Sequence, residues 1–583
     1  MDGKTEFVTR LNQQLAAMKT ERQPFDEVWR LVATFESERM NMFQKPVSAA
    51  RDSEYLSLHR DKRDIDNTSR QCITVFSSGM LSGVTPPSDQ WFEMRIADGS
   101  GGDDLSKWGP VAKWLENVEK IILNDFTQKN FYTQQVNTYK NIGMYGMQCM
   151  LIGESKDIGT YYRDVPPDEI YVQNDFAGRV NCVFREMSVT YQQALELFGK
   201  RKLSKTVQKV VDNKEANIFD RMTIVHAVVK KAPGYENIVG NNRLAYASYY
   251  FEPSEGHLID ESGFDSMPYV VTRAYSDSRT PYSFSPGTVA LADVLLVNEI
   301  KKLMLQAGQL SIAPPMLMPD RGIMGKLNYA PYAVNLFRKD GNTSADDFKP
   351  FQFGGNMKDG LDLLEMAKQD IKQAFFYDLF LMIHNRTQSG HGTPTAMEIE
   401  QLATEKSFLL APILINQQQE EFNNLIARVF EIKRKTPGVL PPLPDELKGA
   451  GLDIKYISPL VHAQNNNKTQ RMLKTLNDIF GVLSVSAQVD QAVASQTLDL
   501  INTEGTIYKL LEQGGFPQSC VRQLEEVQAM RQQRMQAQEA AMRQQQEQQA
   551  MQGLLQGYGQ LSVAPETGSP VQQLMQNAGA LSA

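Results

Sequence analysis

The side chains that could bind a metal ion are few and scattered in this sequence. Of the six histidines, His384 and His391 share one polar stretch, and no third metal ligand lies near them in the sequence. A zinc site needs three or four protein ligands in a suitable spacing. Two solvated loop residues explain this pair better, so we predict no metal site and no cofactor.

Motifs for nucleotide binding and acyl transfer are also missing. Gly3-Lys4-Thr5 ends like a phosphate-binding loop but lacks the upstream glycine that such a loop requires. Neither G-x-G-x-x-G after a predicted strand nor G-x-S-x-G occurs. The adjacent carboxylates Asp103-Asp104, Asp346-Asp347 and Glu420-Glu421 lie in polar surroundings, which favours solvated faces over acid–base chemistry. We therefore predict that the chain is not an enzyme.

The composition describes a protein with a large core and an acidic balance. Hydrophobic residues make up 42% and charged residues 22% of the 583 residues, which is typical of a folded protein. The net charge is −8, whereas proteins that grip nucleic acid by its phosphates are usually basic. Any DNA that this chain meets is therefore expected to be guided rather than gripped.

The cysteines and the N-terminal residues indicate the cellular compartment of the protein. The four cysteines are far apart in the sequence and form neither a metal motif nor a disulfide framework. The first 18 residues are interrupted by charges and contain no apolar segment of the kind that signal peptides carry. We expect a protein of a reducing compartment, made in a cytoplasm.

Two long helices organise the rest of the chain. Residues 286–309 and 357–383 are apolar on more than one face, and they flank a Pro/Gly-rich insert, 310–356, with short strand-like pieces. Helices with several apolar faces are buried on several sides. Either neighbouring subunits of a ring bury them, or they form an ordinary buried hairpin. Charges such as Asp293 and Lys372 exclude a membrane span.

A polar loop and an interrupted helix follow the second of these helices. Residues 384–393 contain Asn385, Arg386, Gln388, Ser389 and His391. Helical periodicity then runs from Thr395 to Arg434 with Pro412 inside it. A proline ring removes one hydrogen bond and clashes one turn back, so we predict a kink at Pro412.

The flanking regions complete an α+β, mostly helical chain. Residues 1–285 combine helices with several strands, and we expect Pro24 to end the first helical pattern. Residues 394–460 end in one more strand, and 461–524 are helical. Residues 525–552 favour helix, although their apolar spacing is irregular. Residues 553–583 are rich in Gly, Gln, Ser and Pro, and we expect them to be disordered.

The order of these parts resembles a known family, the portal (head-to-tail connecting) proteins of short-tailed, T7-like bacteriophages. The resemblance spans roughly residues 20–530. Its motifs are Val28-Trp29-Arg30, Ile65-Asp66-Asn67-Thr68, Leu81-x-x-x-Thr85-Pro86-Pro87 with Trp91-Phe92, Gly178-Arg179-Val180, Ser285-Pro286-Gly287, Ala313-Pro314-Pro315, Thr395-Ala396-Met397-Glu398-Ile399 and Tyr456-Ile457-Ser458-Pro459-Leu460. Each motif alone is weak, but their order is specific. Tyr282-Ser283-Phe284 departs from a more glycine-rich version, which leaves local loop detail open.

The resemblance implies the portal fold and a division of the chain into parts. Residues 1–285 would form a wing, 286–309 and 357–383 the stem helices, and 310–356 a clip. Residues 384–393 would be a channel loop, with Asn385, Arg386, Gln388, Ser389 and His391 nearest the DNA. Residues 394–460 would supply a kinked helix and a returning wing strand. Residues 461–524 would form a crown, 525–552 a short helical barrel and 553–583 a disordered tail.

The resemblance also implies a function and partners. The chain would form a dodecameric ring at one capsid vertex of the virion, and double-stranded DNA would pass through it without sequence specificity. Implied partners are the large terminase, tail adaptor or nozzle proteins, major capsid and scaffolding proteins and internal core proteins, with no membrane. Within the clip, we expect Arg321, Lys326, Arg338 and Lys339 to dock the motor and the adaptor.

Two other classes of protein remain as alternatives at this point. A nucleic-acid packaging enzyme would need the phosphate-binding loop or carboxylate cluster that the sequence lacks. A soluble helical scaffold unrelated to DNA would explain the helices without a ring.

Overall fold

The computed structural model describes residues 3–37, 64–96, 109–155, 158–213, 217–231, 244–277, 279–320, 332–338, 349–350, 357–381, 408–444, 452–457 and 524–559, with a few single residues between them. The chain divides into two compact units. One comprises 1–103 and 114–515, and the other comprises 104–113 and 516–583.

The N-terminal part of the first unit is mixed helix and strand, as predicted. Its elements are α1 (Gly3–Phe35), α2 (Thr68–Val84), β1 (Phe92–Ile96), α3 (Gly109–Gln128), α4 (Phe131–Tyr145), β2 (Met147–Ser155), β3 (Gly159–Asp164), β4 (Ile170–Asn174), β5 (Val180–Thr190), α5 (Tyr191–Phe198), α6 (Lys205–Asp212), β6 (Arg221–Lys230), β7 (Tyr246–Glu252), β8 (His257–Phe264) and β9 (Tyr269–Arg273).

The central and C-terminal parts contain the predicted helices and the insert between them. Their elements are α7 (Pro286–Ile312), β10 (Met316–Asp320), β11 (Val334–Arg338), β12 (Lys349–Pro350), α8 (Met357–Ala374), α9 (Tyr377–Phe380), α10 (Asn423–Lys435), β13 (Leu452–Tyr456) and α11 (Leu524–Gly559). Residues 408–422 are also helical, and Gln417–Phe422 within them form a π-helical turn.

A five-stranded antiparallel sheet in the order β4-β5-β6-β7-β8 forms the largest sheet. The first half of α1 covers one face through Phe7, Leu11 and Leu15. Helices α5 and α6 cover the other face in a smaller cluster. With both faces covered, the strands of this sheet are largely buried. Strand β8 was not predicted, because its sequence alternates weakly.

Three smaller sheets connect distant segments. Strand β2 pairs antiparallel with both β3 and β9, and β1 pairs antiparallel with β13 in the register Phe92↔Tyr456. In the insert, β10 pairs parallel with β11 and antiparallel with β12. The β1–β13 pair confirms the strand predicted at the end of residues 394–460.

Helix α1 continues through Pro24, so the prediction that Pro24 would end the first helix was wrong. Buried contacts on both sides of the proline offset the missing hydrogen bond. Arg22 donates hydrogen bonds to the carbonyl oxygens of Pro167, Asp168 and Ile170. Trp29, which is fully buried, packs against Tyr145 and Tyr282.

Helix α11 confirms the helix predicted at 525–552 and is longer than expected. It extends to Gly559, so the predicted disordered tail, 553–583, was wrong for its first seven residues. Leu554 and Leu555 are strong helix formers, and they offset the cost of the neighbouring glycines. Residues 560–583, and most of the predicted crown at 461–524, lie outside the described residues.

The second central helix is shorter than the predicted 357–383, because α8 ends at Ala374. Phe376 adopts a left-handed conformation with φ of 55°, and the single turn α9 follows. This break directs Phe380 onto α2, where its ring packs edge to face against the Phe76 ring with 5.9 Å between the ring centroids. Gly79 leaves the space that this ring occupies. Residues 382 and 383 lie outside the described residues.

The close approach of Gly79 and Phe380 is testable by adding one methyl group. A Cβ at position 79 would overlap the Phe380 ring, so Gly79→Ala should destabilise the protein by about 1–3 kcal/mol. Gly308→Ala in α7 is the control, since a Cβ there meets no atom within 4 Å. The measurement is the melting temperature. In a Phe380→Ala background the Gly79→Ala change should add no further loss, and an equal loss in both backgrounds would contradict this packing.

Candidate functional site: the central hairpin and the helix near its base

Helix α7 begins at a fixed point in the core. Ser285 is its N-cap, where its hydroxyl oxygen accepts a hydrogen bond from the Thr288 amide at 2.9 Å, and the Thr288 hydroxyl accepts one from the Ser285 amide at 2.7 Å. Pro286 occupies the first helical position, where a missing N–H costs least. The Ser285 hydroxyl also donates to the carbonyl oxygen of Met144 at 2.7 Å. The cap therefore joins the start of α7 to the end of α4.

Gly287 allows this junction to close. A Cβ at this position would lie 2.5 Å from Oε2 of Glu36 and 2.9 Å from the carbonyl oxygen of Met144. Burial raises the pKa of Glu36 well above its usual value. The side chain of Glu36 is only 2% exposed and its oxygens accept no hydrogen bond in the structure. The Glu36 side chain therefore packs against the N-terminal end of α7.

The middle of α7 is tied to the segment that precedes α2. The side-chain oxygen of Asn298 accepts hydrogen bonds from the amides of Ile65 at 2.7 Å and Asp66 at 2.9 Å. Lys301, one turn further on, forms an ion pair with Asp66. Up to this level α7 is part of the core, which also contains Val294 and Val297.

Beyond Lys301, α7 packs mainly against α8. Helix α8 contributes Leu364, Ala367 and Ile371 to the shared core, and Phe375, directly after the helix, joins them. Near the far end, Gly360 lies 3.9 Å from the side chain of Met304, measured from its ideal Cβ position. The insert of β10, β11 and β12 follows at this end. The structure thus confirms a helical hairpin with a β-containing insert.

The outer faces of this hairpin expose large apolar side chains. On α7, Val289, Leu296 and Leu303 recur at heptad spacing and are 48–66% exposed. On α8, the exposed ones are Leu361, Leu363 and Met366. Large apolar side chains exposed together on a pair of helices are typical of an interaction site. Within the described residues, this favours helices that bury their outer faces against a partner over an ordinary buried hairpin.

A second helix lies near the base of the hairpin and is irregular. Residues 408–416 pass through Pro412 without ending, and the π-helical turn Gln417–Phe422 follows. One-turn π segments are rare and occur frequently at functional sites. Sequence periodicity did not reveal this turn, because one inserted residue shifts the pattern by only about 100°. The kink at Pro412 stays a prediction.

The π turn and the residue before it form hydrogen bonds with the strands beside them. Glu420 accepts from both the backbone amide of Arg273, at 2.9 Å, and its guanidinium Nε, at 3.0 Å. Asn416, just before the turn, donates to the carbonyl oxygen of Ala274 at 3.2 Å. On the opposite side, the hydroxyl of Tyr456 donates to the carbonyl oxygen of Gln418 at 3.2 Å.

The inner side of the turn carries a buried polar cluster. Glu421 is 1% exposed, and its Oε1 accepts a hydrogen bond from Gln135 at 2.6 Å. Burial raises the pKa of Glu421 to about 8, and hydrogen bonds from Gln135 and Gln148 lower it less. Gln417 is fully buried, and its amide finds no hydrogen-bond partner in the structure. Unsatisfied buried groups cost free energy, so the π turn is held by its outer contacts and not by this cluster.

The individual residues predicted to act on DNA or to dock partners are mostly outside the described residues. This applies to Asn385, Arg386, Gln388, Ser389 and His391 of the loop at 384–393, and to Arg321, Lys326 and Lys339 of the insert. Arg338 is the last residue of β11 and pairs with Asp320 of β10. The structure places its backbone at the edge of the insert.

The buried histidine of the large sheet has a structural role. His226 shares hydrogen bonds with the hydroxyls of Tyr269 at 2.6 Å and Ser248 at 2.9 Å, and its ring stacks on Tyr250. Burial lowers the pKa of His226 to about 3, so the ring is neutral. At 2% exposure it is closed to substrates. Within the described ranges, no three His, Cys, Asp or Glu side chains group as a metal site.

Among the helices that the structure describes, none has the length and apolarity needed to cross a bilayer.

The chain belongs to the family of bacteriophage head to tail connecting proteins, whose model matches residues 8–521. It is similar to the portal protein of Salmonella phage epsilon15, with 28% identity over 548 residues that cover 93% of this chain and 94% of that protein. It is also similar to a probable portal protein of Bordetella phage BPP-1, with 27% identity over 73% of this chain and 75% of that protein. The portal function predicted from the motifs is thereby confirmed, and the two alternatives are not favoured.

The buried acid of the π turn predicts a pH dependence of stability. The folded state holds the Glu421 proton up to about pH 8, whereas the ordinary pKa is 4.5. Its contribution is therefore fully present below pH 4.5 and is lost as the pH rises towards 8. Glu421→Gln keeps an acceptor for Gln135 and removes the proton. Between pH 5 and pH 8, the melting temperature of the variant should fall less than that of the wild type.

Glu420→Gln is the matched control, because it weakens the ion pair with Arg273 at every pH. It should lower the melting temperature by a similar amount at pH 5 and pH 8. Parallel curves for the wild type and Glu421→Gln would contradict a neutral Glu421.

Proposed function

We propose that this protein forms a dodecameric ring at one vertex of the phage capsid and conducts double-stranded DNA during packaging and ejection. The observation that supports the ring best is the hairpin of α7 and α8. Its base is fixed in the core by Ser285 and Asn298, while its outer faces expose apolar side chains at heptad spacing. Identical neighbours in a closed ring would cover both outer faces, because head-to-tail contacts repeat around the ring.

The parts of the chain receive roles in this proposal. Residues 1–285 are the wing, α7 and α8 the stem, the insert at 310–356 the clip, and 384–393 the channel loop. The helix with the π turn and strand β13 return the chain to the wing. Residues 461–524 form a crown. Helix α11 forms a short helical barrel with its copies from the other subunits of the ring.

The conduit is proposed to be passive towards DNA. Each phosphate that a protein neutralises adds salt-dependent affinity, and tight holding would oppose translocation. A net charge of −8 limits such binding. Arg386 and His391 in the loop meet phosphates transiently, while Asn385, Gln388 and Ser389 supply weak hydrogen bonds.

The partners follow from the same assignment. The clip, with Arg321, Lys326, Arg338 and Lys339, docks the large terminase and later the tail adaptor or nozzle proteins. The wing and crown face the major capsid, scaffolding and internal core proteins. The protein is made in the host cytoplasm and resides in the virion, at the portal vertex.

The ring is tested by the native mass of the purified protein together with negative-stain images. We expect a ring of about twelve copies of the 65.7 kDa chain with a central hole. Leu296→Asp with Leu303→Asp places charges on the exposed stripe of α7 and should leave monomers. Leu197→Asp, which alters an equally exposed leucine on α5 of the wing, should leave rings intact. Rings from the stripe variant would exclude this face from the interface.

One packaging assay with two variants tests the proposed roles of the channel loop and the clip separately. Deletion of 385–392 should leave rings and terminase binding intact but reduce the DNA packaged or retained. Changing Arg321, Lys326, Arg338 and Lys339 to glutamate should abolish terminase binding because it reverses the clip charge. Full heads from the loop deletion would reject the proposed loop role, and undiminished terminase binding would reject the clip assignment.

A further inference from the structure

The two sides of α8 carry opposite charges beside similar apolar residues. Its buried face is marked by Leu364, Ala367 and Ile371, which are at most 8% exposed. Successive helical residues are about 100° apart, so the residue before each buried position lies on one side and the residue after it on the other. The residues before are Leu363, Met366 and Asp370. The residues after are Glu365, Lys368 and Lys372.

The first side continues onto α7 and is acidic. Asp293 of α7 lies beside Asp370 of α8, and its pKa is raised first by burial and then by the negative charge of Asp370. We call Asp293, Asp370, Leu363 and Met366 the acidic flank. Leu363 and Met366 are 54% and 64% exposed. Neither aspartate forms an ion pair within the part of the chain that the structure describes.

Two like charges held together on a surface are unfavourable unless a cation approaches from outside. The α7–α8 pair does not supply this cation. Lys301 is engaged with Asp66, and Lys302 pairs with Glu299 on the same helix. Asp293 and Asp370 thus lack a cation on their own hairpin while sitting beside exposed apolar surface.

The opposite side of α8 is basic and also exposes an apolar residue, so it complements the acidic flank. We call Leu361, Lys368 and Lys372 the basic flank. Leu361 is 50% exposed, and the Lys372 ammonium lies 5.9 Å from the ring of Tyr377. Neither lysine forms an ion pair among the described residues. Glu365 shares this side, which keeps one net positive charge.

An interface between identical subunits in a ring joins two different surfaces of the chain. A two-fold dimer formed through one flank would instead place that flank against its own copy, acid on acid or base on base. We infer that the acidic flank of one subunit docks on the basic flank of its neighbour, with Asp293 and Asp370 facing the neighbour's lysines at positions 368 and 372. This inference rests on the proposed ring and specifies its direction and pairing.

Charge reversal tests the pairing through two complementary variants. The all-acidic variant carries Lys368→Glu and Lys372→Glu, and the all-basic variant carries Asp293→Lys and Asp370→Lys. Each alone brings like charges together and should need about tenfold more protein to form rings than the wild type. An equimolar mixture should assemble near the wild-type concentration, because the subunits alternate around the ring. The measurement is ring mass against concentration at low salt.

Two further proteins serve as controls. Lys205→Glu with Lys209→Glu reverses two exposed lysines of α6 in the wing and should assemble like the wild type. A chain with all four flank reversals restores complementarity within one sequence and should form rings alone, which shows that the substituted positions permit folding.

The outcomes separate this inference from the ring itself. Normal rings from the wild type and from both like-charge variants would overturn the flank pairing and leave the ring standing. A mixture that assembles no better than its components would also overturn the pairing. Absence of rings from the wild-type protein would overturn the ring, and the pairing with it.

Discussion

The structure depends on the burial of one end of a helix that is apolar at both ends. The first half of α7 is inside the core, where the Ser285 cap and the Asn298 side chain fix its start and its rotation. The second half has comparable apolarity but exposes Leu303, Leu305 and Ile312. Because the buried half fixes the direction of the helix, its exposed half and the insert that follows extend beyond the core that α7 shares with α8. This asymmetry gives a monomer a surface that only assembly can cover.

The helix near the base of the hairpin is held differently. Its π turn is bound on the outside by Glu420 to Arg273 and by Tyr456 to the carbonyl oxygen of Gln418. Its inside contains a neutral Glu421 and an amide, Gln417, without hydrogen-bond partners in the structure. Polar contacts therefore fix the helix to the β2–β9 and β1–β13 sheets. On the side that faces the core, the Gln417 amide lacks hydrogen-bond partners in the structure. Apolar packing fixes the same turn, because Phe422 is buried against Trp91 and Tyr456.

Much of this fold was predictable, and the failures have physical causes. The two long helices α7 and α8 were located by their many apolar residues, because burial on several sides leaves several apolar faces in the sequence. The prediction that Pro24 ends the first helix failed because tertiary contacts of Arg22 and Trp29 stabilise the helix on both sides of the proline. The break at Phe376 depends on a ring that fits against Gly79 across the fold, and no local pattern contains that information. The family was recognisable only from the order of weak motifs, and the residues proposed for DNA contact carry no pattern that their local sequence alone would single out.

The exposed apolar stripe and the charges beside it perform different tasks in a ring. Leucines at heptad spacing supply attraction, but they pack nearly as well in a parallel, shifted or two-fold arrangement. In the pairing that we infer, opposite charges on the two sides of α8 would penalise the arrangements that bring like flanks together, and would set direction and register while adding little affinity. The acidic aspartates are costly in the monomer, because Asp293 and Asp370 repel each other. In the pairing that we infer, the neighbour's lysines would remove that cost, so the charges would favour head-to-tail contacts, and such contacts form a ring when their rotation closes.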